Sequence, residues 1–338
     1  MGPVTIRDVA AQAGVSVGTA SRVLNGHPST SARSRQRVDQ AARSLGYQAN
    51  ARARSLRRSR TDTIGVLVSD ITNPFFAEIA QAVEQRALAS GLSTVLCNAN
   101  ESVEQQDRYL ELLVRQRVDG IVIAPQGDGS GHLAELDRYG IPFVFVDRVI
   151  DGVDVPSVTS DNTLGLAEAV ELLAGLGHRR VGYVAGPQQT STGRQRLTAF
   201  RTAAAAASFD SHPALVFQGD FRLESGRAGA AALLSLADPP TAVIAADSLM
   251  TLGVAFACRE RQVRIGSELS LIGYDDMTAF ALMDPPLTVI AHDPFRMGQL
   301  AFDLISEAMA GRVVGSTVLP SSLIQRGSVG PCPEGGPE

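Results

Sequence analysis

Three short segments near the start of the chain repeat apolar residues at intervals of three or four positions, the spacing of one helix face. The residues expected to face inward are Ile6, Val9, Ala10 and Ala13, then Ala20, Val23 and Leu24, then Val38, Ala41, Ala42 and Leu45. Thr5 and Ser16 are suited to cap the first two helices, and Gly14 and Gly46 to end the first and third. Two helices joined by a turn, followed by a supporting third, predict a helix-turn-helix unit in residues 1–48.

From Thr63 onward, short runs rich in valine and isoleucine alternate with helical stretches. The runs cover residues 63–70, 93–99, 118–125 and 142–147, and then, in a second series that starts near Ser160, residues 179–186, 214–220, 241–247 and 269–276. This alternation predicts α/β architecture with a parallel sheet covered by helices on both faces. Because the pattern occurs twice, we expect two lobes with a ligand cleft at the carboxyl ends of their strands.

The outward face of the second helix carries short side chains and a single long one. Its hydroxyls, suited to phosphate contacts, belong to Ser16, Thr19 and Ser21. Arg22 is the long side chain, and an arginine fork matches O6 and N7 of guanine. Val17 offers apolar contact, for instance to a thymine methyl group, and Gly18 contributes no side-chain contact. The alternative for this segment is a three-helix module that binds another protein.

Charge is distributed unevenly between the two ends of the chain. Residues 1–60 hold 11 arginines against Asp8 and Asp39, a net charge of +9, whereas the whole chain has a net charge of −5. A basic head on an acidic body indicates that the head binds a polyanion such as DNA. A solvated basic face without a partner is the alternative that charge alone leaves open.

Composition removes several classes of protein. All 30 basic residues are arginine, so a Walker-type phosphate loop, a pyridoxal Schiff base and a lysine nucleophile are excluded. The chain has no run of about 18 apolar residues and no apolar leader at its start, so we expect a cytoplasmic protein without a membrane partner. Its three cysteines are scattered and form no disulfide framework. No cofactor or metal site is expected.

Polar and aromatic residues follow the predicted strands, where the cleft should lie. They are Asp70, Asn73, Phe75, Asp147, Arg148, Asp161, Arg196, Phe221, Asp247 and Asp275. Carboxylates accept hydrogen bonds from hydroxyl groups, arginine donates them, and an aromatic ring covers an apolar face, which suits a polyhydroxylated ligand such as a sugar. Taken singly, each of these residues could instead be a helix cap or turn former. Their shared location favours a binding site.

The head resembles the lactose-repressor/galactose-repressor (LacI/GalR) family of bacterial transcription regulators. The similarity is carried by "TIRDVAAQAGVSVGTASRVLNG" and "VDQAARSLGYQANARARSLR". The resemblance implies that the second helix enters the major groove and that Val17, Gly18 and Arg22 match the main base readers. The complete set of predicted DNA contacts is Thr5, Ser16, Val17, Gly18, Thr19, Ser21, Arg22, Asn25, Ser31, Asn50, Arg54 and Leu56.

Residues 49–60 are expected to connect the head to the body. By composition the segment is a basic linker with Leu56 as its one bulky apolar residue. In the family that it resembles, the matching segment folds into a hinge helix on operator DNA, and the leucine that aligns with Leu56 wedges between base pairs in the minor groove. An ordinary linker leucine is the alternative.

The body is similar to the same family through "SDITNPFF", "DGIVIAP", "GRQRLTAF", "LIGYDD" and "PPLTVI". The resemblance implies a periplasmic-binding-protein-like core, residues 61–327, that binds a small effector, often a sugar or a nucleobase. One lobe is expected to span about 61–159 and 291–318, and the other about 160–290. The sequence departs from the family at Ala246, where asparagine is common, and at His292, where glutamine is frequent. The resemblance therefore does not identify the effector.

The predicted function is a sequence-specific transcriptional regulator, a repressor of carbohydrate-metabolism genes controlled by an effector between the lobes. Residues 328–338 are expected to form a disordered tail; because the end of the chain lacks a leucine heptad, we expect a homodimer on a palindromic operator. One rival function is a transporter's solute-binding protein, which predicts a signal peptide and no basic head. The other is an enzyme, although no catalytic motif is present and the five histidines are predicted in loops or at element ends.

Overall fold

The computed structural model describes residues 4–24, 27, 29–47, 60–127 and 131–333. The chain divides into two compact units, residues 1–62 and 63–338. The predicted DNA contacts at Asn25, Asn50, Arg54 and Leu56, and all but the last residue of the predicted hinge, lie outside the described residues.

The described residues of the first unit form three helices, α1 (Ile6–Ala13), α2 (Val17–Leu24) and α3 (Ala32–Leu45). Their shared core is Val9, Ala10, Ala13, Ala20, Val23, Val38 and Ala41. Gly14 and Gly46 end α1 and α3 with φ angles of 59° and 63°, a left-handed conformation that glycine adopts without strain. The three-helix prediction is confirmed, including its ends.

The first lobe of the second unit is a six-stranded parallel sheet in the order β11-β5-β4-β3-β1-β2. Its strands are β1 (Thr63–Val68), β2 (Ser93–Asn98), β3 (Gly120–Ile123), β4 (Phe143–Val146), β5 (Ser157–Ser160) and β11 (Thr317–Leu319). The associated helices are α4 (Pro74–Ala89), α5 (Val103–Gln116), α6 (Leu133–Tyr139) and α12 (Pro294–Met309). Two apolar clusters, one on each face of the sheet, form the core of this lobe.

The second lobe repeats the design with the strand order β12-β10-β9-β8-β6-β7. Its strands are β6 (Val181–Ala185), β7 (Val216–Gln218), β8 (Ala242–Ala245), β9 (Ser270–Tyr274), β10 (Thr288–Ala291) and β12 (Ser322–Ile324), of which β12 alone pairs antiparallel, with β10. The associated helices are α7 (Leu164–Gly175), α8 (Ser191–Ala206), α9 (Leu223–Leu234), α10 (Ser248–Glu260) and α11 (Thr278–Ala281). The prediction of two α/β lobes is confirmed.

The chain crosses between the lobes three times. It leaves the first lobe after β5, returns after β10, and crosses again between β11 and β12. Each sheet therefore receives strands from distant parts of the sequence, since β11 pairs with β5 and β12 with β10. The predicted runs omitted β5, β10, β11 and β12, which are three or four residues long. The equally short β3, β4, β7 and β8 were included.

Two helices of the second lobe cross at glycines. A Cβ atom at Gly253 of α10 would lie 2.1 Å from the carbonyl oxygen of Leu223, and one at Gly226 of α9 would lie 2.2 Å from that of Met250. Both contacts are with backbone atoms, which cannot rotate away as a side chain can. The absent side chains let α9 and α10 pack at close range beside β8.

The expected disordered tail does not begin at residue 328. Ser328 is fully buried, donates to the carbonyl oxygen of Leu271 and accepts from the backbone amide of Thr288. Further along, the amide of Cys332 donates to the carbonyl oxygen of Leu176. These hydrogen bonds hold residues 328–333 against the second lobe, so the prediction is wrong for that part of the tail. No helix in the described ranges is long and apolar enough to cross a membrane.

Candidate functional site

Helix α2 presents the surface that the sequence assigns to DNA. Ser16, Val17, Gly18 and Arg22 are exposed, and Val17 is 45% exposed despite its apolar side chain. The Nε of Arg22 lies 3.3 Å from the carbonyl oxygen of Gly18, which directs the stem of the arginine along the helix. A small, open surface with one long cation meets the steric requirement for a helix that enters a DNA groove.

Several hydroxyl groups of the head already take part in helix capping. Ser16 accepts from the amide of Thr19 at 3.1 Å, and Ser31 accepts from the amide of Ser34 at 3.2 Å. The hydroxyl and amide of Thr5 both donate to the carboxylate of Asp8. Capping fixes the starts of the helices. The hydroxyl protons of Thr5 and Ser31 are donated to Asp8 and Ser34, so these two hydroxyls must give up those bonds before they can donate to a phosphate oxygen.

A cavity lies between the two lobes, at the carboxyl ends of both sheets. It is lined by Asn73, Phe75, Phe76, Asp147, Arg148, Thr192, Arg196, Phe221, Asp247 and Asp275. Eight of these ten residues are predicted effector contacts. Its free space is about 10 Å³, room for about one water molecule, so a larger ligand requires the lobes or side chains to move apart.

Three lining residues adopt a left-handed backbone conformation. The φ angles are 64° at Asp147, 64° at Phe221 and 61° at Asp275. Asp147 follows β4 directly, Asp275 follows β9 directly, and Phe221 lies just beyond β7. Residues other than glycine adopt this conformation at a cost, and such strain clusters where side-chain direction matters for binding. Here it occurs at three buried side chains of one cavity.

Arg148 is the most enclosed cation of the cavity. Its two terminal nitrogens each donate to a different oxygen of Glu101 at 2.7 Å, and one also donates to the side chain of Gln126 at 2.9 Å. The guanidinium lies 5.7 Å from the ring centroid of Phe76 in the first lobe and 5.2 Å from that of Phe221 in the second. The bidentate pair and two aromatic rings hold this cation in a fixed position.

Arg196 is held from the second lobe. Its Nε donates to Asn162 Oδ1 at 3.0 Å, and one terminal nitrogen donates to the carbonyl oxygen of Ala246 at 2.7 Å. The guanidinium carbon lies 4.3 Å from the centroid of the Tyr274 ring. These contacts orient the guanidinium while its other terminal nitrogen, Nη2, accounts for none of the hydrogen bonds of the described residues.

Asn73 and Asp247 join the two lobes. The Nδ2 of Asn73 donates to Oδ2 of Asp247 at 3.0 Å, and the hydroxyl of Ser248 donates back to Oδ1 of Asn73 at 3.0 Å. Burial and, to a smaller extent, the nearby Asp275 raise the pKa of the Asp247 carboxyl to about 8. Burial also raises the pKa of Asp147, against the influence of Arg196 and Arg148. The cavity therefore holds fewer negative charges near neutral pH than its carboxyl groups suggest.

His292 lies behind the cavity, next to Asp275. Its Nδ1 is 3.3 Å from Oδ1 of Asp275, and its ring lies 5.6 Å from that of Tyr274 and 6.3 Å from that of Phe75. The Nε2 atom is buried and has no hydrogen-bond partner among the described residues. The residue at which the sequence departs from the common glutamine thus contacts an aspartate that lines the cavity.

Two predicted contacts do not line the cavity. One oxygen of Asp70 accepts from the amide and hydroxyl of Thr72, and one oxygen of Asp161 accepts from the amide and hydroxyl of Thr163. Aspartate after a strand commonly bonds the backbone two residues ahead, and this local bond directs both carboxylates into turns. Asp70 and Asp161 are therefore turn formers, which was the alternative to a binding role in the sequence analysis.

Six residues of the site and its supports were absent from the prediction: Phe76, Thr192, Glu101, Gln126, Asn162 and His292. His292 directly follows β10, so the rule that selects residues after strands could have found it. Glu101 and Gln126 also lie a few residues beyond strands. Thr192 is the second residue of α8 and does not follow a strand, so this rule could not have found it. Within the described ranges, no group of three or more His, Cys, Asp or Glu residues could hold a metal ion.

Comparison with known proteins decides the family. The model of "Periplasmic binding proteins and sugar binding domain of LacI family" matches residues 61–326, and that of "Bacterial regulatory proteins, lacI family" matches residues 5–50. The chain belongs to the LacI family. It is accordingly a DNA-binding transcriptional regulator with a ligand-binding core, and not an enzyme.

Similar proteins align with this LacI-family chain over nearly its whole length. The HTH-type transcriptional repressor CytR of Escherichia coli strain K12 is 32% identical over 96% of both chains. A crystal structure of the lac repressor dimer bound to operator and the anti-inducer ONPF is 31% identical, with a TM-score of 0.86 over 97% of this chain and 99% of that one. The transcriptional regulator CelR in complex with cellobiose is 33% identical, with a TM-score of 0.73 over 96% and 99%.

Proposed function

We propose that the protein is a dimeric, cytoplasmic repressor of carbohydrate-metabolism genes, released from or directed to a palindromic operator by a sugar bound between its lobes. The observation that carries this proposal is the cavity at the carboxyl ends of both sheets, lined from both lobes by carboxylates, two arginines and aromatic rings. The structure of CelR, a relative of similar length, has been solved in complex with cellobiose. Both facts favour a polyhydroxylated effector.

The DNA contacts are assigned to the exposed face of α2 and to the helix starts beside it. Arg22 would read guanine, Val17 would contact a thymine methyl group, and the hydroxyls of Ser16, Thr19 and Ser21 would bind phosphates. Thr5 and Ser31, which begin α1 and α3, would add phosphate contacts. Asn25, Asn50, Arg54 and Leu56 complete the proposed set.

The effector contacts are the eight predicted residues that line the cavity: Asn73, Phe75, Asp147, Arg148, Arg196, Phe221, Asp247 and Asp275. The carboxylates of Asp147 and Asp275 would accept hydrogen bonds from ligand hydroxyls, and Arg196 would donate to a ligand oxygen. The rings of Phe75 and Phe221 would cover the apolar face of a sugar ring. Asp70 and Asp161 would act on the site only through the turns that they hold.

A second copy of the chain is the proposed partner of an apolar groove on the second lobe. The groove has a volume of about 720 Å³, and its lining includes Leu252, Phe256, Met283 and Pro285. Phe256 is 49% exposed and Leu282, beside Met283 in the chain, is 80% exposed. Large exposed apolar side chains around a groove favour a protein interface, and the similar lac repressor was crystallised as a dimer. Two-fold symmetry of the protein would require two-fold symmetry of the operator.

Coupling between the sites would run through the angle between the lobes. A ligand that separates Asn73 from Asp247, or holds them together, changes which arrangement of the two lobes is populated. The connecting residues 49–60 would then fold on DNA in one arrangement and not in the other. By linkage, an effector that weakens operator binding must itself bind more weakly to the operator complex.

The test is selection of duplex sites from a random pool by the purified full-length chain, followed by gel-shift titration at moderate salt. We expect an enriched inverted repeat whose half-sites lie about one helical turn apart or a multiple of it. Equal affinity for the enriched site and random duplex, with and without cellobiose, would reject the proposed function. The alternative for the head, a three-helix module that binds another protein, predicts that result.

A further inference from the structure

An ion pair joins the two lobes at the rim of the cleft. A terminal nitrogen of Arg194, on α8 of the second lobe, lies 2.5 Å from a carboxylate oxygen of Asp151, which follows β4 in the first lobe. The other terminal nitrogen of Arg194 donates to the carbonyl oxygen of Gln188 at 3.2 Å, which fixes the direction of the guanidinium. Beside this pair, the amide of Val149 donates to the hydroxyl of Ser191 at 3.0 Å. Two bonds therefore span the lobes at this point of the rim.

A second contact spans the rim at the outer edge of both sheets. Arg222 follows β7, an edge strand of the second lobe, and Asn100 follows β2, an edge strand of the first. A terminal nitrogen of Arg222 donates to the carbonyl oxygen of Asn100 at 2.8 Å. The amide of Arg222 donates to the carboxylate of Asp220 at 3.1 Å, which holds its backbone in a turn. We call the bonds of Arg194 with Asp151 and of Arg222 with Asn100 the rim contacts.

The arginines of the rim contacts lie outside the proposed effector site. Arg194 and Arg222 are 39% and 46% exposed, and neither lines the cavity. Their bonds form in the closed arrangement of the lobes, in which the cavity has room for about one water molecule. Cavities that bind small molecules usually measure about 300–1,000 Å³. An effector therefore requires an open arrangement, and separation of the lobes breaks the bonds that span them.

We propose that the rim contacts lower the affinity for effector by stabilising the closed arrangement, and that the effector stabilises the open one. This inference rests on the proposed function and specifies how the same site is regulated. The apparent affinity is the intrinsic affinity multiplied by the fraction of molecules that are open, so a substitution that breaks a rim contact raises the apparent affinity. Because an exposed ion pair contributes little, the expected rise for each contact is about two- to fivefold.

The opposite regulation gives the opposite sign. If an effector were enclosed under intact rim contacts, these bonds would form together with the complex, and their removal would weaken effector binding. The hydrogen bond from Asn73 to Asp247 also spans the lobes, but both of these residues line the cavity and are proposed effector contacts. Their substitution would change the site as well as the closure. Arg194 and Arg222 are therefore the residues to substitute.

The first experiment measures the open fraction of the full-length chain without added sugar. Thr192 is 3% exposed in the cavity wall, so the thiol of a Thr192→Cys variant reacts with iodoacetamide only when the lobes separate. The variant also carries Cys332→Ser, because the other two cysteines are buried. We expect Arg194→Ala and Arg222→Ala each to speed alkylation by about two- to fivefold. Equal alkylation rates with and without both substitutions overturn the proposal.

Two controls separate the ion pair from a general effect of charge. Arg201→Ala removes an exposed arginine from the same helix as Arg194 and should leave the alkylation rate unchanged. Asp151→Ala should speed alkylation as Arg194→Ala does, and the double variant should be no faster than either single one, because both remove the same bond. Additive effects of the two substitutions, or equal acceleration by Arg201→Ala, overturn the assignment of the pair.

The second experiment determines the sign of the effect with cellobiose as the probe. Cellobiose is titrated calorimetrically into the wild-type chain, Arg194→Ala and Arg201→Ala. We expect the affinity to rise by about two- to fivefold in Arg194→Ala alone, and weaker binding by that variant overturns the proposal. If cellobiose binds none of the three chains, the sugar of the proposed function is rejected, whereas the alkylation rates still decide whether the rim contacts hold the lobes closed. The two failures are therefore distinguishable.

Discussion

Asn73 in the first lobe donates a hydrogen bond to Asp247 in the second, with 3.0 Å between Nδ2 and Oδ2. Asn73 also begins α4 by accepting from the amide of Phe75, and Asp247 begins α10 by accepting from the amide of Met250. One hydrogen bond thus links the starts of two helices that belong to different lobes. Both residues line the cavity, so a bound ligand must lie beside this hydrogen bond. Ligand binding can therefore change the distance between Asn73 and Asp247.

The pH dependence of stability should report on Asp247. Its pKa rises from 3.8 to about 8 in the folded protein, so the native state retains a proton that the unfolded state loses. The contribution of this proton to the free energy of unfolding is complete below about pH 4 and is lost as pH rises towards 8. We expect Asp247→Asn to flatten the decline in the free energy of unfolding across this range. Urea denaturation of both proteins at a series of pH values measures the free energy of unfolding.

The control for that measurement is Asp137→Asn, which removes an exposed carboxylate and should leave the wild-type slope unchanged. Asp147, whose pKa burial also raises, acts in the same direction and should retain part of the slope in Asp247→Asn. If stability fell equally steeply with and without Asp247, the carboxyl group would be ionised throughout and the link with Asn73 would be a charged one.

Arg22→Ala should reduce sequence preference more than general DNA affinity. A bidentate contact with guanine discriminates between bases by about 1–3 kcal/mol, whereas the loss of one positive charge affects all duplexes alike. Competition gel shifts with the selected site and with single-base variants of it measure the difference. Arg43→Ala removes the same charge from the last turn of α3 and should preserve base preference. Equal preference in both variants would remove Arg22 as a base reader.

Glu101→Gln should destabilise the core strongly. The side chains of Arg148 and Glu101 are 3% and 8% exposed, and removal of one partner from a buried ion pair typically costs about 3–5 kcal/mol. Chemical denaturation measures the loss. In the double variant Glu101→Gln with Arg148→Met no cation is left buried without its partner, so we expect much of the stability to return. A double variant less stable than Glu101→Gln would show that the aromatic contacts of Arg148 matter more than its charge.

Asp275→Ala should abolish the response to effector while leaving operator affinity intact. The lost hydrogen bond to a charged group corresponds to about 1.5–3 kcal/mol of effector binding. The measurement is operator release, or enhanced operator binding, as a function of effector concentration. His292→Gln is an informative companion, because it keeps a hydrogen-bonding side chain next to Asp275 while restoring the residue common in the family. An unaltered response in Asp275→Ala would place the effector elsewhere.

Local sequence patterns predicted the helices of the head well because capping residues and glycines mark both ends of the helices. Eight of the strands and eight cavity residues were also predictable, since parallel strands place their carboxyl ends at one edge. The edge strands β11 and β12 were not, because none of their residues is fully buried and they lack the buried run rich in valine and isoleucine that marks the central strands. Asp70 and Asp161 show the limit of the rule for strand ends, since a neighbouring threonine can turn a carboxylate away from the cleft.

The three passages of the chain between the lobes mean that the first lobe is assembled from two separated stretches of the gene, with β11 and α12 encoded after the whole of β6 to β10. A fragment that stops at residue 160 would lack one sheet edge and the helix that covers β3, β4 and β5. Chimaeras that exchange the second lobe must therefore replace residues 161–291 together with β12 and residues 328–333, which belong to or pack against the same lobe. Ribosomal synthesis imposes the same order, and the first lobe can be completed only after most of the second has emerged.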